Sequence, residues 1–207
     1  NEFAALYDTA HDLAEHQDLP TLLQAIVDRA AILLAAPGGG MYLYDETRGD
    51  LHVVVSKGSS FPVGARIQLG EGMAGRVAQT HQPLIVNNYR TWEGRSPQYE
   101  GIPIAATIEV PMIFGGELIG VLVVFEVDET ARKFTEADVR LLSLFASSAA
   151  GAVHNARLLD ETRRRADEFA ALYNVTHDLA AQQDVDALLN TIVQRATELF
   201  STPSAMI

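Results

Sequence analysis

Few side chains in this sequence combine the type and the spacing that chemistry needs. The six histidines match no ligand motif such as HExxH, and His52, His81 and His154 fall on different expected elements, so each reads as a surface or packed residue. His11 and His177 sit in a repeated LYxxxHDLA on predicted helix. A helical His followed by an acid suits a phosphoaccepting histidine, but neither copy continues with Arg and Pro, so repeated helix packing is the better account. Glu71 and Glu109 stand alone rather than as an acid–base pair. No GxSxG elbow or P-loop is present, and GEGMAG is a glycine-rich turn without the strand–helix context of a dinucleotide site. With no cysteine, disulfides, thiolate metal sites and cysteine nucleophiles drop out together. These residues predict no catalysis, no metal and no cofactor.

Composition narrows the partners. The 207 residues carry a formal charge of −12, which argues against a nucleic-acid surface, and the one basic run, Arg163 to Arg165, reads as a solvated helix face. With 48% hydrophobic residues the chain can build a core. No apolar run approaches the ~20 residues needed to span a bilayer, so no direct membrane contact and a cytoplasmic location are expected.

The dominant element is one long predicted helix from Thr135 to about Asp184. No proline lies between Pro111 and Pro203, and Gly151 is the only glycine after Gly120. Thr135 is a candidate N-cap with Asp138 three residues on, and Phe134 can staple against Val139. About fifty helical residues span roughly 75 Å, too long to bury in one core, so the second half needs a partner. Leu142, Ala146, Ala149, Val153 and Ala156 recur at spacings of four and three, and Leu159, Ala166, Phe169, Leu172 and Leu179 follow after a phase slip at the arginine triplet. The expectation is a parallel homodimer through the Leu142–Leu179 stretch.

An internal repeat sets the boundaries. The segment from Glu2 to Pro37 recurs from Glu168 to Pro203 with about half the aligned positions identical, as in a tandem array. Residues 1–17 then read as the end of a preceding connector helix and 18–160 as a complete domain. Residues 161–183 are a connector, and 184–207 the first helix of a truncated second domain. Within 18–160, Asp18 caps a helix with Pro20 in its first turn, and Leu22, Leu23, Ile26, Val27, Ala30 and Leu33 form its apolar stripe. Pro37 and Gly38 to Gly40 are expected to end it. MYLYD and LHVVVS read as a hairpin, Ala65–Leu69 and Leu84–Asn87 as short strands, and GMAGRVAQT as a short helix of small residues. A loop from Asn88 to about Ala106 precedes two strands joined at Gly115 and Gly116. This succession is an α+β domain with a central antiparallel sheet flanked by helices.

Three blocks, LGEGMAGRVAQTHQPLIVNN, IEVPMIFGGELIGVLVV and FTEADVRLLSLFASSAAGAVHNARL, resemble a GAF domain over roughly Asp18 to Leu159. The resemblance implies a PAS-like fold with a helical bundle on one face of the sheet and a ligand pocket on the other. It also implies dimerisation through flanking helices, and a place as a tandem sensory module in a signalling protein such as a sensor histidine kinase. The Asn-Lys pair of cyclic-nucleotide-binding members is missing from VVFEVDETARKF, and without cysteine neither covalent bilin attachment nor methionine sulfoxide reduction fits. Strand alternation sends Met41 and Leu43 to one face and Gly40, Tyr42 and Tyr44 to the other. By resemblance this second face is the pocket, joined by Thr107, Glu109, Val123 and Phe125, with Asn87, Tyr89, Arg90, Trp92 and Tyr99 from the long loop. A sensory or relay module for a small-molecule effector is the expected function. The alternatives are a ligand-free dimerisation spacer or a noncovalent light or redox sensor.

Overall fold

The computed structural model describes residues 18–58, 62–99, 101–128 and 132–200. Its elements in order are helix α1 (Leu19–Leu33), strands β1 (Gly38–Asp45), β2 (Asp50–Lys57) and β3 (Arg66–Gln68), helix α2 (Gly72–Thr80), strand β4 (Leu84–Val86), strands β5 (Ala106–Phe114) and β6 (Glu117–Glu126), and helix α3 (Glu136–Phe200). Two short 3-10 turns, Tyr89–Thr91 and Pro97–Tyr99, interrupt the long loop. The six strands form one antiparallel sheet in the order β3-β2-β1-β6-β5-β4, the α+β arrangement expected.

The alternation along β1, β5 and β6 divides the sheet's side chains into two layers. Met41, Leu43, Ile108, Val110, Met112, Leu122 and Val124 meet α1 and the start of α3 in one aliphatic cluster. Tyr42, Leu51, Val53, Val121, Val123 and Phe125 meet α2 and the loop in the other. Burying one such aliphatic side chain is worth about 1.5–3 kcal/mol, so each layer is a substantial source of stability. Pro111 is tolerated within β5 because β4 pairs only as far as Glu109, which leaves that part of β5 at the sheet edge.

The start of β1 departs from expectation. Gly38 to Gly40 do not end α1; they are the first residues of the strand. A Cβ on Gly38 would lie 2.4 Å from the Phe125 ring, and one on Gly39 would lie 2.7 Å from the Val123 carbonyl oxygen. The glycines therefore serve close strand contact rather than helix termination. Helix α1 ends earlier, where Ala35 takes the left-handed conformation at φ 50 and the amides of Ala35 and Ala36 bond back to Ile32 and Ala31. Asp18 occupies the N-cap position of α1 without a side-chain capping bond.

Helix α3 begins as the sequence predicts. The Thr135 amide and hydroxyl both donate to Asp138 at 2.8 Å, while the Asp138 amide reaches the Thr135 hydroxyl at 3.4 Å. Burial pushes the Asp138 carboxyl up, but these bonds and the Arg132 guanidinium together hold it below its ordinary value. The seam needs correction. Leu142, Ala146, Ala149 and Val153 are buried in the domain's own aliphatic layer, with Ala156 packed at its margin. A four-and-three stripe looks the same whether it faces a sheet or a second helix, and here the sheet takes it.

The described residues divide into two units at Leu158/Leu159. In the second unit Phe169, Leu172 and Tyr173 are 72%, 63% and 68% exposed. The helix does not end near Asp184 but continues to Phe200. The first copy of the repeat has Pro20 two residues after its Asp18, whereas the second copy has Asp186 after Asp184, so no ring forces a new helix start there. The arginine triplet does not interrupt the helix either, and exposed pairs Arg164–Glu168 and Arg165–Glu161, both 3.8 Å, bridge one turn across it. The expected preceding connector, residues 1–17, lies outside the described residues.

Candidate functional site

The face of the sheet covered by α2 and the long loop gathers most of the expected pocket residues, but as a packed layer. Tyr42 from β1 and Tyr89 and Tyr99 from the loop are buried, and the Tyr42 hydroxyl donates to the Tyr99 hydroxyl at 3.3 Å. Val123 and Phe125 form the sheet surface beneath, and Trp92 packs at the margin with its ring 5.9 Å from Tyr89. The Arg76 guanidinium lies 5.0 Å over the Trp92 ring, a cation–π contact that sequence reasoning had not assigned.

Glu109 is the chemically unusual member. It is 6% exposed, and its Oε2 has no hydrogen-bond partner among the described residues. Burial pushes its carboxyl up to about 8, because the charged form would be desolvated without a counterion. The same burial, with the nearby Glu109 charge, lifts the hydroxyls of Tyr42 and Tyr89. Tyr99 is raised by burial too, against the opposing hydrogen bond from Tyr42. A carboxyl beside three tyrosines can donate a hydrogen bond when protonated and, when ionised, can accept hydrogen bonds or pair with a cation.

Other expected site residues have different work. Asn87 clamps the end of β4 to the start of α3, donating to the Phe134 carbonyl at 3.0 Å and accepting from its amide at 2.9 Å. Arg90 donates to the Val127 carbonyl at 3.3 Å, which ties the loop to the end of β6. These two residues line a separate cleft of about 380 Å³ that also includes Asn88, Thr91, Arg132 and Lys133. The Thr107 hydroxyl donates to the Val124 carbonyl at 3.3 Å, within the β5–β6 ladder. Tyr44 is half-buried, and its carbonyl accepts from Arg157 at 3.3 Å.

Residues that sequence reasoning missed hold the loop in place. The Ser96 hydroxyl donates to Glu71 at 2.6 Å, and the other oxygen of that carboxylate accepts from the Gln68 amide at 3.2 Å. Glu71 therefore joins the entry of α2 to the middle of the loop. No local sequence signal marks a Glu and a Ser so far apart as partners. At the far edge of the sheet Arg66 bonds to both Asp45, at 2.6 Å, and Asp50. The Thr47 hydroxyl and then Arg66 hold the Asp45 carboxyl low, and Arg66 does the same for Asp50. Beside them His52 has an unpartnered Nδ1 among the described residues and is lowered chiefly by burial. The other two expected bystander histidines are structural: His81 caps α2 in the left-handed conformation, and His154 packs 4.8 Å from the Phe114 ring. Among the described residues no cluster of His, Cys, Asp or Glu could hold a metal ion, and no helix is long and apolar enough to cross a membrane.

A curled sheet between a two-helix layer and a helix-and-loop layer is a GAF-like architecture. Residues 16–154 match the model of the GAF domain family, and the chain belongs to that family. Among proteins of known role, it is similar to the Nif-specific regulatory protein of Azospirillum lipoferum, 27% identical over 176 residues. That match covers 81% of this chain and 28% of the regulator. It is also similar to the dual 3',5'-cyclic-AMP and -GMP phosphodiesterase 11A of Takifugu rubripes, 25% identical over 215 residues, covering 96% of this chain and 24% of the phosphodiesterase. The chain thus spans under a third of the length of these relatives. In fold it resembles the GAF domain of an Acinetobacter phosphoenolpyruvate-protein phosphotransferase, with a TM-score of 0.64 at 22% identity. That alignment covers 78% of this chain and 98% of the solved domain. GAF domains of this kind occur in regulatory and signalling proteins, as these relatives illustrate.

Proposed function

We propose that this chain is a sensory and relay module of a multidomain signal-transduction protein. It takes a small molecule between the sheet and the Asn88–Ala106 loop, and passes the change on through helix α3. The observation that carries the reading is the double use of that helix. Leu142, Ala146, Ala149 and Val153 are part of the domain core, and the same element continues into a second unit in which Phe169 is largely exposed. A core helix feels any shift of the sheet, and an exposed phenylalanine on its continuation offers a partner an apolar contact. The partner proposed is the same helix of a second copy in parallel, with Leu159, Phe169 and Leu172 in the contact instead of the stripe buried in the core. A ligand that favours one arrangement of sheet and helix then biases the dimer, whereas equal affinity for both arrangements transmits nothing.

The module acts by binding rather than catalysis. What supports this is that Glu71 is committed to Ser96 and Gln68 while, among the described residues, Glu109 has no second acid or base beside it. The named relatives favour a regulatory protein over the histidine kinase suggested by the resemblance alone. The repeat from Glu168 supports a tandem array, and the charge of −12 argues against a nucleic-acid partner. Sedimentation at micromolar concentration tests the relay. Dimers that Phe169→Glu converts to monomers uphold it, and monomers at every concentration for the unaltered chain remove its basis.

A further inference from the structure

The layer under the loop holds a buried acid, Glu109, whose Oε2 has no hydrogen-bond partner among the described residues. Glu109 lies directly across from Val123, and Val123 directly across from Gly40, so the three form one row over β5, β6 and β1. Their side chains share the face of Tyr42. Gly40 leaves that row low. Among the described residues only the Val55 carbonyl oxygen comes within 4 Å of where its Cβ would stand. Tyr42, Tyr89 and Tyr99 surround the row, and Trp92 packs at its margin. A buried carboxylate without a counterion is costly and is seldom left so in a stable core, whereas a carboxylate ringed by aromatic faces is the usual recognition set for an organic cation.

We infer that this face receives a small organic cation, a primary amine or guanidinium on an apolar body, with the charge on Glu109 and the body over Val123 and Gly40. The inference rests on the sensory reading above and names the ligand class of that site. It also explains why an acid is kept where a glutamine would be less costly. Without a cation beside it Glu109 holds its proton up to about pH 8, and an arriving ammonium, as the loop yields to admit it, displaces that proton to solvent. Among the described residues, the other titratable groups near the row are Tyr42 on β1 and Tyr89 and Tyr99 in the loop, with Glu71 and Arg95 beyond them. The three tyrosines are all raised above their ordinary value, so they stay neutral through this range. Amine affinity therefore rises between about pH 6 and pH 8, with proton release below the upper limit.

Calorimetry on the whole chain tests this with two matched sets: 2-phenylethylamine, 2-phenylethanol and 3-phenylpropanoate, then n-butylamine, n-butanol and pentanoate. The expected result is that at least one amine binds tenfold or more tighter than its own alcohol and acid. Its enthalpy should vary with buffer ionisation in the sense of proton release at pH 7, and Glu109→Gln should weaken it tenfold or more while the far-ultraviolet spectrum is unchanged. The amine preference and the proton release are read on the unaltered chain, so they stand even if the variant folds poorly. Amines binding no better than their counterparts, or equally well to Glu109→Gln, overturn the inference, as does a chain that binds none of the six. Tight binding of an alcohol or acid alone removes the cation while leaving the sensory reading intact, and that reading fails separately if sedimentation shows only monomers.

Discussion

On the face covered by α1 and α3, the sheet presents Met41, Leu43, Ile108, Val110, Met112, Leu122 and Val124, all aliphatic or thioether side chains. On the face covered by α2 and the loop, the same strands present Tyr42, Thr107, Glu109, Val123 and Phe125 beneath two further tyrosines. The first face meets regular helix, where close-packed apolar side chains give the most stability for their volume. The second meets a loop held by separate polar ties, Ser96 to Glu71, Arg90 to Val127 and Tyr89 to Ala105. Each tie is worth about 0.5–1.5 kcal/mol, so they can open singly without unfolding the sheet. One face is built for stability, and the other keeps polar groups buried at a cost to stability.

Substitutions on the two faces should separate these roles. Leu142→Ala, which empties a fully buried position between α3 and the sheet, is expected to lower stability by about 2–5 kcal/mol. Urea unfolding measures it, and a loss below about 1 kcal/mol would mean that the aliphatic layer is loosely packed.

Glu109→Gln should act in the opposite direction, and only at higher pH. The folded chain keeps the Glu109 proton up to about pH 8, whereas the unfolded chain releases it near the ordinary carboxylate value. Between those values the folded state binds more protons, so the unaltered protein loses stability as pH rises through the window. The glutamine variant should match it at pH 4 and exceed it at pH 9 by on the order of a few kcal/mol. Equal pH dependence of the two proteins would show that the carboxyl is hydrated.

Asn87→Ala, which removes both bonds to Phe134, should cost about 1–3 kcal/mol by the same urea measurement. It would do so without altering the amine binding proposed at Glu109, because Asn87 clamps the end of β4 to the start of α3. Phe169→Ala, on neither face, should change domain stability by less than about 0.5 kcal/mol. Its effect should appear in self-association instead.

Much of this was legible in local pattern. Alternation along MYLYD, IEVPMIF and LIGVLVVFEV, with the resemblance to choose the side, placed Tyr42, Glu109, Val123 and Phe125 on one face, because a strand's side-chain period is fixed by its backbone. Thr135 and Asp138 marked the start of α3, because a capping box lies within four residues. The family could be recognised from short blocks spread along the chain for the same reason. What the pattern misread were contacts whose two sides are distant in sequence. The apolar stripe of α3 gave no sign that the sheet, and not a second helix, would cover it. Nor did Asn87 show that its amide would face the Phe134 backbone instead of a ligand.

The sequence by itself determined the strands and their faces, the first turn of α3 and the absence of any cysteine chemistry, since each follows from residues adjacent in the chain. Only the tertiary structure decided that Gly38 packs against the Phe125 ring and that the helix stripe is spent inside the domain. It alone left one oxygen of Glu109 without a partner, because hydrogen bonding and burial at that carboxyl depend on β1, β6 and the loop arriving there together.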